Sequence, residues 1–440
     1  MHPLAFRLVV FALITAPVVI VAQSRPAVAW PHWRGPGHTG ATTANVPLTW
    51  SDTSNVRWKA EIPGRGHSTP VVAGNRLFLT TAVPTGKKTE VAPSSQGGAG
   101  GGAGAGEEHR LEVIAIDRLS GKIVWQQTAI TAVPHEGYHR QYGSFASNAP
   151  ATDGQRVYAF FGSRGIYAYD LNGKLLWQRD FGLKMTMHLG FGEGTGTVVH
   201  DGRIYLQFDH KGEGFVVALN AADGKELWRA PRMENSSWST PLVVEHAGRK
   251  QLVVSADTKV KAYDVETGKV VWEVAGIGMN PIPQPVQFRD TVILMSGYRN
   301  PKLFAVRLGR TGDLTGTDAV IWETTRGTSY TASPSLFDGR LYVISDSGML
   351  HVFDAATGTP HYIQQRLPKP YNFKASPLVV NDRVYLATEE GEVVVVKTGN
   401  QFEVLATNTL TDQSFIASPI AVGNDMYLRS RTHLFRISER

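Results

Sequence analysis

Four histidines and two carboxylates fall in stretches of this chain that lack regular apolar alternation: His67, His135, Glu136, His139, His188 and Glu193. Imidazole and carboxylate are common ligands of transition metals, and three or four of them converging at ~2.0–2.2 Å would build a metal centre. Nothing in their spacing forces that convergence. His135 and His139 stand four apart, but "TAVPHEGYHRQYGSFASNAP" reads as a loop and not as a helix that would align them. The set therefore reads as a polar, hydrogen-bonded lining, with no metal expected. Hydrolytic chemistry lacks its signatures as well: there is no G-x-S-x-G elbow and no H-E-x-x-H pair.

What positions these residues is a repeat. "SPSLFDGRLYVISDSGMLHVFDAATG" begins at Ser333, and "SPLVVNDRVYLATEEGEVVVVKTG" begins at Ser376. Related stretches start at Ser147 and Ser239. Each holds four short apolar and aromatic runs, separated by tight turns containing Gly or Asp. Alternation within the runs argues for strands, and a 40- to 50-residue period argues for one four-stranded antiparallel sheet per repeat. Sheets of that kind set radially make a β-propeller.

Two markers count the blades. One is a Pro slot opening each inner strand: Pro70, Pro150, Val198 (in place of Pro), Pro241, Pro285, Pro334, Pro377 and Pro419. The other is an outer-strand aromatic: Trp58, Trp125, Trp177, Trp228, Trp272, Trp322, Tyr362 and Phe402. Both give eight. The first aromatic precedes the first Pro slot, so Asn55–Gly64 should supply the fourth strand of the last blade. The predicted fold is all-β: an eight-bladed β-propeller of four-stranded antiparallel blades, closed by an N-terminal strand that completes the C-terminal blade. Asp117, Asp170, Asp264 and Asp354 recur before the Gly turns, where a carboxylate can accept turn amides.

Tight turns should occupy one face of the propeller, leaving the irregular connections on the other, where a rigid scaffold carries its binding residues. The residue three before each Pro slot reads His67, Ser147, Thr195, Trp238, Ile282, Thr331, Lys374 and Ile416. Equivalent positions would ring the channel mouth. Trp238 would offer an aromatic face there, and Lys374 and His67 would offer charge and hydrogen bonds, suiting a planar or anionic ligand. The candidate binding residues are thus His67, His135, Glu136, His139, His188, Trp238 and Lys374, and no catalytic residue is assigned. A Gly/Ala-rich insert over 86–108 is expected to be flexible, since it cannot bury apolar surface.

"AYDVETGKVVWE", "AIDRLSGKIVWQ" and "ALNAADGKELWR" resemble the tryptophan-docking repeat of the pyrroloquinoline-quinone propeller family. Its members include quinoprotein alcohol dehydrogenases and the propeller lipoprotein of the outer-membrane barrel-assembly machinery. The resemblance runs from about Trp30 to Arg440, and it implies two functions. One is a non-catalytic exported scaffold that binds an envelope or extracellular protein, with no cofactor. The alternative is a dehydrogenase holding pyrroloquinoline quinone (PQQ) and calcium in the channel. The chain has no cysteine for the vicinal pair that many such dehydrogenases carry, nor for a lipid anchor. The family's calcium ligands and catalytic Asp find no assignable positions. The scaffold is the favoured reading.

Composition agrees with a folded, exported chain. Charged residues make up 19%, too few for a disordered one. The net charge of +6 comes from basic residues scattered along the sequence, which argues against nucleic acid as a partner. Residues 1–29 carry Arg7, an apolar run from Leu8 to Ala22 and small residues in A-x-A spacing, the pattern of a secretory signal peptide cleaved after Ala29 or Ala22. That run falls short of the ~20 residues of a spanning helix, so the mature chain, 30–440, should carry no transmembrane span and lie in the periplasm or be secreted.

Overall fold

The computed structural model describes residues 28–89 and 101–439, so most of the signal-peptide segment and the centre of the Gly/Ala insert lie outside the described residues. Eight antiparallel sheets of four strands are arranged as an eight-bladed β-propeller. Six blades are built from consecutive strands. Blade one, for example, runs Val71–Ala73, Arg76–Lys88, Glu107–Asp117 and Ile123–Ala132. In blade five a short strand, Gly312–Asp313, leaves between the third and fourth strands to run parallel to the outer strand of blade four. Blade eight takes Ile420–Val422, Asp425–Arg429 and His433–Ile437 from the C-terminus, and Val56–Glu61 completes it as the outermost strand. The expected closure is present, and it pairs a sheet edge that would otherwise stay open.

The repeated residues now have physical roles. Five of the six outer-strand tryptophans, all but Trp272, lie against the Gly turn of the next blade. Trp125 donates its indole N–H to the Leu171 carbonyl at 3.0 Å, Trp177 to Ala221 at 3.2 Å, Trp228 to Val265 at 2.9 Å, and Trp322 to Ala355 at 3.2 Å. The ring occupies the space that a Cβ on Gly173, Gly224, Gly268 or Gly358 would need. These glycines also take positive φ, so two independent constraints select the residue. The Asp slot caps the same turns: Asp264 Oδ1 accepts from the amides of Glu266 and Thr267, and Asp354 Oδ1 from Ala356 and Thr357.

The Ser/Thr-Pro pair stitches blades together near the axis. Ser333 N donates to Ser376 Oγ, Ser376 N to Ser418 Oγ, and Ser418 N to Thr69 Oγ1, each at 2.9–3.1 Å. The hydroxyl thus satisfies a buried amide of the preceding blade, while the following proline has no N–H to satisfy. Between blades, apolar side chains interdigitate; Phe78, Val113 and Ala115 of blade one meet Val157, Ala159 and Tyr169 of blade two.

Three details differ from the sequence reading. In blade seven the outer strand is Val404–Thr409, so Ala406, opposite Val395, holds the tryptophan slot and Phe402 lies before the strand. Trp272 has no Gly turn to dock on. The connection Leu308–Ala319 of blade five packs over it instead, and its indole N–H goes to Gln251 Oε1 at 2.8 Å. The insert expected to be flexible over 86–108 is structured on both sides of residues 90–100. The ladder of blade one extends to Lys88 opposite Glu107, Ala103 bridges to Tyr138, and Gly102 N donates to the Gly190 carbonyl. Small residues permit this by letting backbone approach backbone: a Cβ on Gly137 would stand 2.3 Å from Gly102.

A feature that the periodicity did not reveal lies on the axis. Residues 28–42 cross the channel, touching blade after blade. Val28–Trp30 pairs with the inner strand of blade one, and the Pro31 carbonyl accepts from Thr152 N of blade two. His32 Nε2 meets the Val199 carbonyl in blade three. Arg34 donates to the Pro334 and Pro377 carbonyls and to Ser335 Oγ in blades six and seven. Ala41–Thr42 then runs parallel to the inner strand of blade seven. The channel is plugged by the chain's own N-terminal segment.

Candidate ligand site at the channel mouth

Above that plug opens a cavity of about 480 Å³, within the ~300–1,000 Å³ of ordinary ligand pockets. Every blade-to-blade connection contributes to its wall, because the slot before each Pro points the chain toward the axis. Seven of the eight ring positions face it: His67, Ser147, Trp238, Ile282, Thr331, Lys374 and Ile416. The eighth, Thr195, is buried with its carbonyl accepting from Asn148 Nδ2, and its neighbours Gly194 and Gly196 form the wall.

His139 and His188 also line this cavity. His135 and Glu136 do not. They border a smaller pocket of about 40 Å³ behind it, with Ser163 and Glu193. The candidate residues therefore divide into two neighbouring sets, and among the described residues no three His, Asp or Glu side chains come together as a metal-binding group.

Electrostatics distinguish the two sets. In the cavity, Lys374 Nζ lies 2.8 Å from Asp346 Oδ2, 3.7 Å from Glu389 and 4.5 Å above the Tyr142 ring. Asp346 is fixed in turn by the amides of Tyr330 and Thr331 and by the Thr331 hydroxyl. The charge that Lys374 was expected to offer a ligand is thus taken up within the protein. His67 is buried, and burial together with Arg429, Arg65 and Arg431 pushes its pKa down to about 3, so the ring is neutral. In the smaller pocket the Glu193 carboxyl accepts from Ser163 N and Ser163 Oγ, both at 2.6 Å, and stands 3.9 Å from His135. Burial raises its pKa to about 7.

Several residues of the cavity had no signal in the repeat. Trp33 of the axial plug reaches the cavity from below, and Tyr142, Phe191, Tyr298, Tyr330 and Asp346 complete the wall. Tyr142 stacks on His139 with ring centres 4.8 Å apart, and Tyr298 on Tyr330 at 5.0 Å. A clue to Tyr298 and Asp346 was available, since both sit in second-to-third-strand connections on the face expected to be irregular. Trp33 lay in a segment outside any repeat.

The family model for outer membrane protein assembly factor BamB, a PQQ-type repeat, matches residues 41–182, 166–316 and 309–431. The chain belongs to this family. Within this PQQ-like propeller family it resembles proteins of both kinds. It is 24% identical over 262 residues to outer membrane protein assembly factor BamB of Burkholderia pseudomallei (strain K96243), covering 57% of this chain and 62% of the relative. It is 26% identical over 297 residues to the polyvinylalcohol dehydrogenase of a Pseudomonas species, covering 55% of this chain and 40% of that enzyme. Both matches span less than two thirds of the relative's length. Among solved structures, the quinohemoprotein alcohol dehydrogenase of Comamonas testosteroni superposes with a TM-score of 0.62 at 11% identity, over 95% of this chain and 82% of that one. At that identity the likeness is one of fold.

Proposed function

We propose that this chain is an exported, non-catalytic propeller scaffold whose irregular face docks an envelope partner at the channel mouth. The observation that carries the reading is the cavity itself: all eight blade-to-blade connections converge on it, aromatic side chains line it, and the plug closes it below. Similarity to an outer-membrane assembly factor supports an envelope partner and export.

The dehydrogenase reading requires that the mouth suit a quinone with three carboxylates and a calcium ion. Calcium takes six to eight oxygen ligands, commonly with several carboxylates. The cavity wall offers Asp346, already bound to Lys374 and the Thr331 hydroxyl, and Glu193, held by Ser163. Its lysine is ion-paired, and burial lowers the pKa values of its histidines His67, His139 and His188. This donor set fits quinone and calcium poorly.

Ile282 and Ile416 face the cavity from blades five and eight without belonging to its hydrogen-bonded framework. Replacing each with Arg should charge the mouth and leave blade packing intact. In cells expressing a tagged chain, crosslinked envelope partners should be lost from Ile282→Arg and Ile416→Arg but retained by Lys269→Glu on the turn face. Partners that persist in both mouth variants would overturn the docking reading.

A further inference from the structure

Eight large apolar side chains are exposed among the described residues, and seven of them share one position in the fold. They lie in the third-to-fourth-strand turns of blades one to four, or just beyond, where each turn passes into the outer strand. Leu119, Ile123 and Val124 belong to blade one, and Leu175 and Leu176 to blade two; blades three and four add one each. The eighth, Met233, follows the far end of a strand. In blades five to eight the residue before the outer-strand aromatic slot is half-buried or polar: Ile321, His361, Leu405 and Arg57. Single apolar residues on a surface are ordinary, but a cluster of them marks an interaction site.

Trp125 of blade one docks on the Gly173 turn of blade two, which brings the starts of their outer strands side by side. Each start also carries a lysine just before the apolar pair, Lys122 and Lys174. Both are exposed, and neither has an ion-pair partner among the described residues. The carboxylates of the same turns are occupied. Asp117 accepts amides of its own turn and pairs with Arg76, and Asp170 accepts the amides of Asn172 and Lys174. The lysine slot recurs in blade three as Lys225, offset by Asp223 at 3.1 Å, and in blade four as Lys269. The patch is therefore richest at blades one and two.

Unpaired lysines beside Leu, Ile and Val suit the boundary of an anionic membrane. Apolar side chains enter between headgroups there, while lysine stems lie along them and their ammonium groups meet lipid phosphates. A second copy of the chain would instead set the same lysines against one another, which is costly. A folded partner would have to match the convex rim of the propeller in shape, whereas lipid yields to it.

From this we infer that the chain docks on an anionic phospholipid bilayer through the rim of blades one and two. The patch is on the tight-turn face, so the channel mouth on the opposite face stays free, and the inference stands apart from the docking reading above. In an eight-bladed ring, blade four is turned more than a right angle from the middle of this arc, so Lys269 stays clear of a flat membrane. In the test, the mature chain, as exported, is floated with vesicles of phosphatidylcholine alone or of phosphatidylcholine and phosphatidylglycerol in equal parts. It should float with the anionic vesicles and not with the neutral ones, and added salt should release it. Lys122→Gln with Lys174→Gln should weaken binding roughly thirtyfold, about fivefold for each lysine at an anionic surface. Leu175→Ser with Leu176→Ser should weaken it roughly tenfold or more at a nearly unchanged melting temperature, since both side chains are exposed.

Equal flotation with both kinds of vesicle would overturn the inference, as would no flotation or unchanged binding in both double variants. A dimer in sedimentation that Leu175→Ser with Leu176→Ser abolishes would assign the rim to a second copy and refute the lipid. So would a protein crosslinked at the rim in cells and lost from that variant while vesicles go unbound. The lysine pair keeps the test decisive should the leucine pair fail to fold. The two readings fail separately, because Ile282→Arg alters the mouth and should leave flotation unchanged.

Discussion

Trp58, near the N-terminal end of the propeller, donates its indole N–H to the carbonyl of Arg118 at 3.0 Å and lies over Gly121 in the first blade. Its strand is the outermost of the last blade, so this contact joins blade eight to blade one and closes the circle.

Closure predicts a coupled pair of substitutions. Gly121 has φ of 72°, and a Cβ there would stand 2.6 Å from the Trp58 ring. Gly121→Ala should therefore cost about 1–3 kcal/mol through backbone strain and displacement of the indole. Trp58→Ala, at a half-buried site, should cost less than the ~3–5 kcal/mol of a fully buried ring. In the double variant Gly121→Ala should cost less than it does alone, because the clash is gone. Urea unfolding of the four proteins measures the coupling, and strict additivity would contradict the docking geometry.

Arg34 predicts the behaviour of the plug. Its guanidinium is buried without a carboxylate partner and joins two blades through the carbonyls of Pro334 and Pro377. Arg34→Met would leave those carbonyls unmatched, and a loss of about 2–4 kcal/mol is expected from hydrogen bonds to a charged donor. Arg34→Lys should not restore stability, since one ammonium lacks the planar fork that spans both blades. Thermal melts check both variants. Rescue by Lys would show that charge, not geometry, holds the plug.

Glu193 gives a pH dependence with a definite sign. Its folded pKa is raised by burial to about 7, above the unfolded value of 4.5. The folded state therefore binds more protons between those values, and this group's contribution is fully present below pH 4.5 and lost as pH rises through 7. Glu193→Gln keeps an acceptor for Ser163 N and stays neutral. The stability of the variant relative to wild type should increase from pH 4.5 to 7 and then level off, by on the order of 1–3 kcal/mol. Taking the difference removes the opposing histidines, whose pKa values are lowered by burial. A flat difference would place Glu193 in a wetter setting.

The quinone gives a fourth expectation. Purified protein supplied with pyrroloquinoline quinone and calcium should reduce no dye with alcohols or sugars. Turnover that requires the quinone would reverse the choice between scaffold and dehydrogenase.

Much of this architecture was determined by sequence alone, and the reason is local. The Asp slot, the Gly of the turn and the tryptophan two residues into the next strand act within one hairpin and its neighbour, so each repeat carries its own instructions. That is why Asp264, Gly268 and Trp272 could be read in order, and why the slot before each Pro located seven residues of the cavity wall. The same logic reached the closure of blade eight, because a lone outer-strand tryptophan had to find three strands without a fourth.

The tertiary structure decided what depends on closing the circle. Arg34 meets Pro334 across 300 residues of chain, and no local pattern encodes that meeting. Trp33 becomes part of a binding wall only because the plug crosses the axis beneath it. Lys374 looked like a free cation until folding set Asp346, from the preceding blade, 2.8 Å away. His135 and Glu136 sit four residues or fewer from His139, yet a turn in the loop sends them to a separate pocket. Residue type supplies the chemistry each group can do, but its partner and its charge are set by which loops the ring brings face to face.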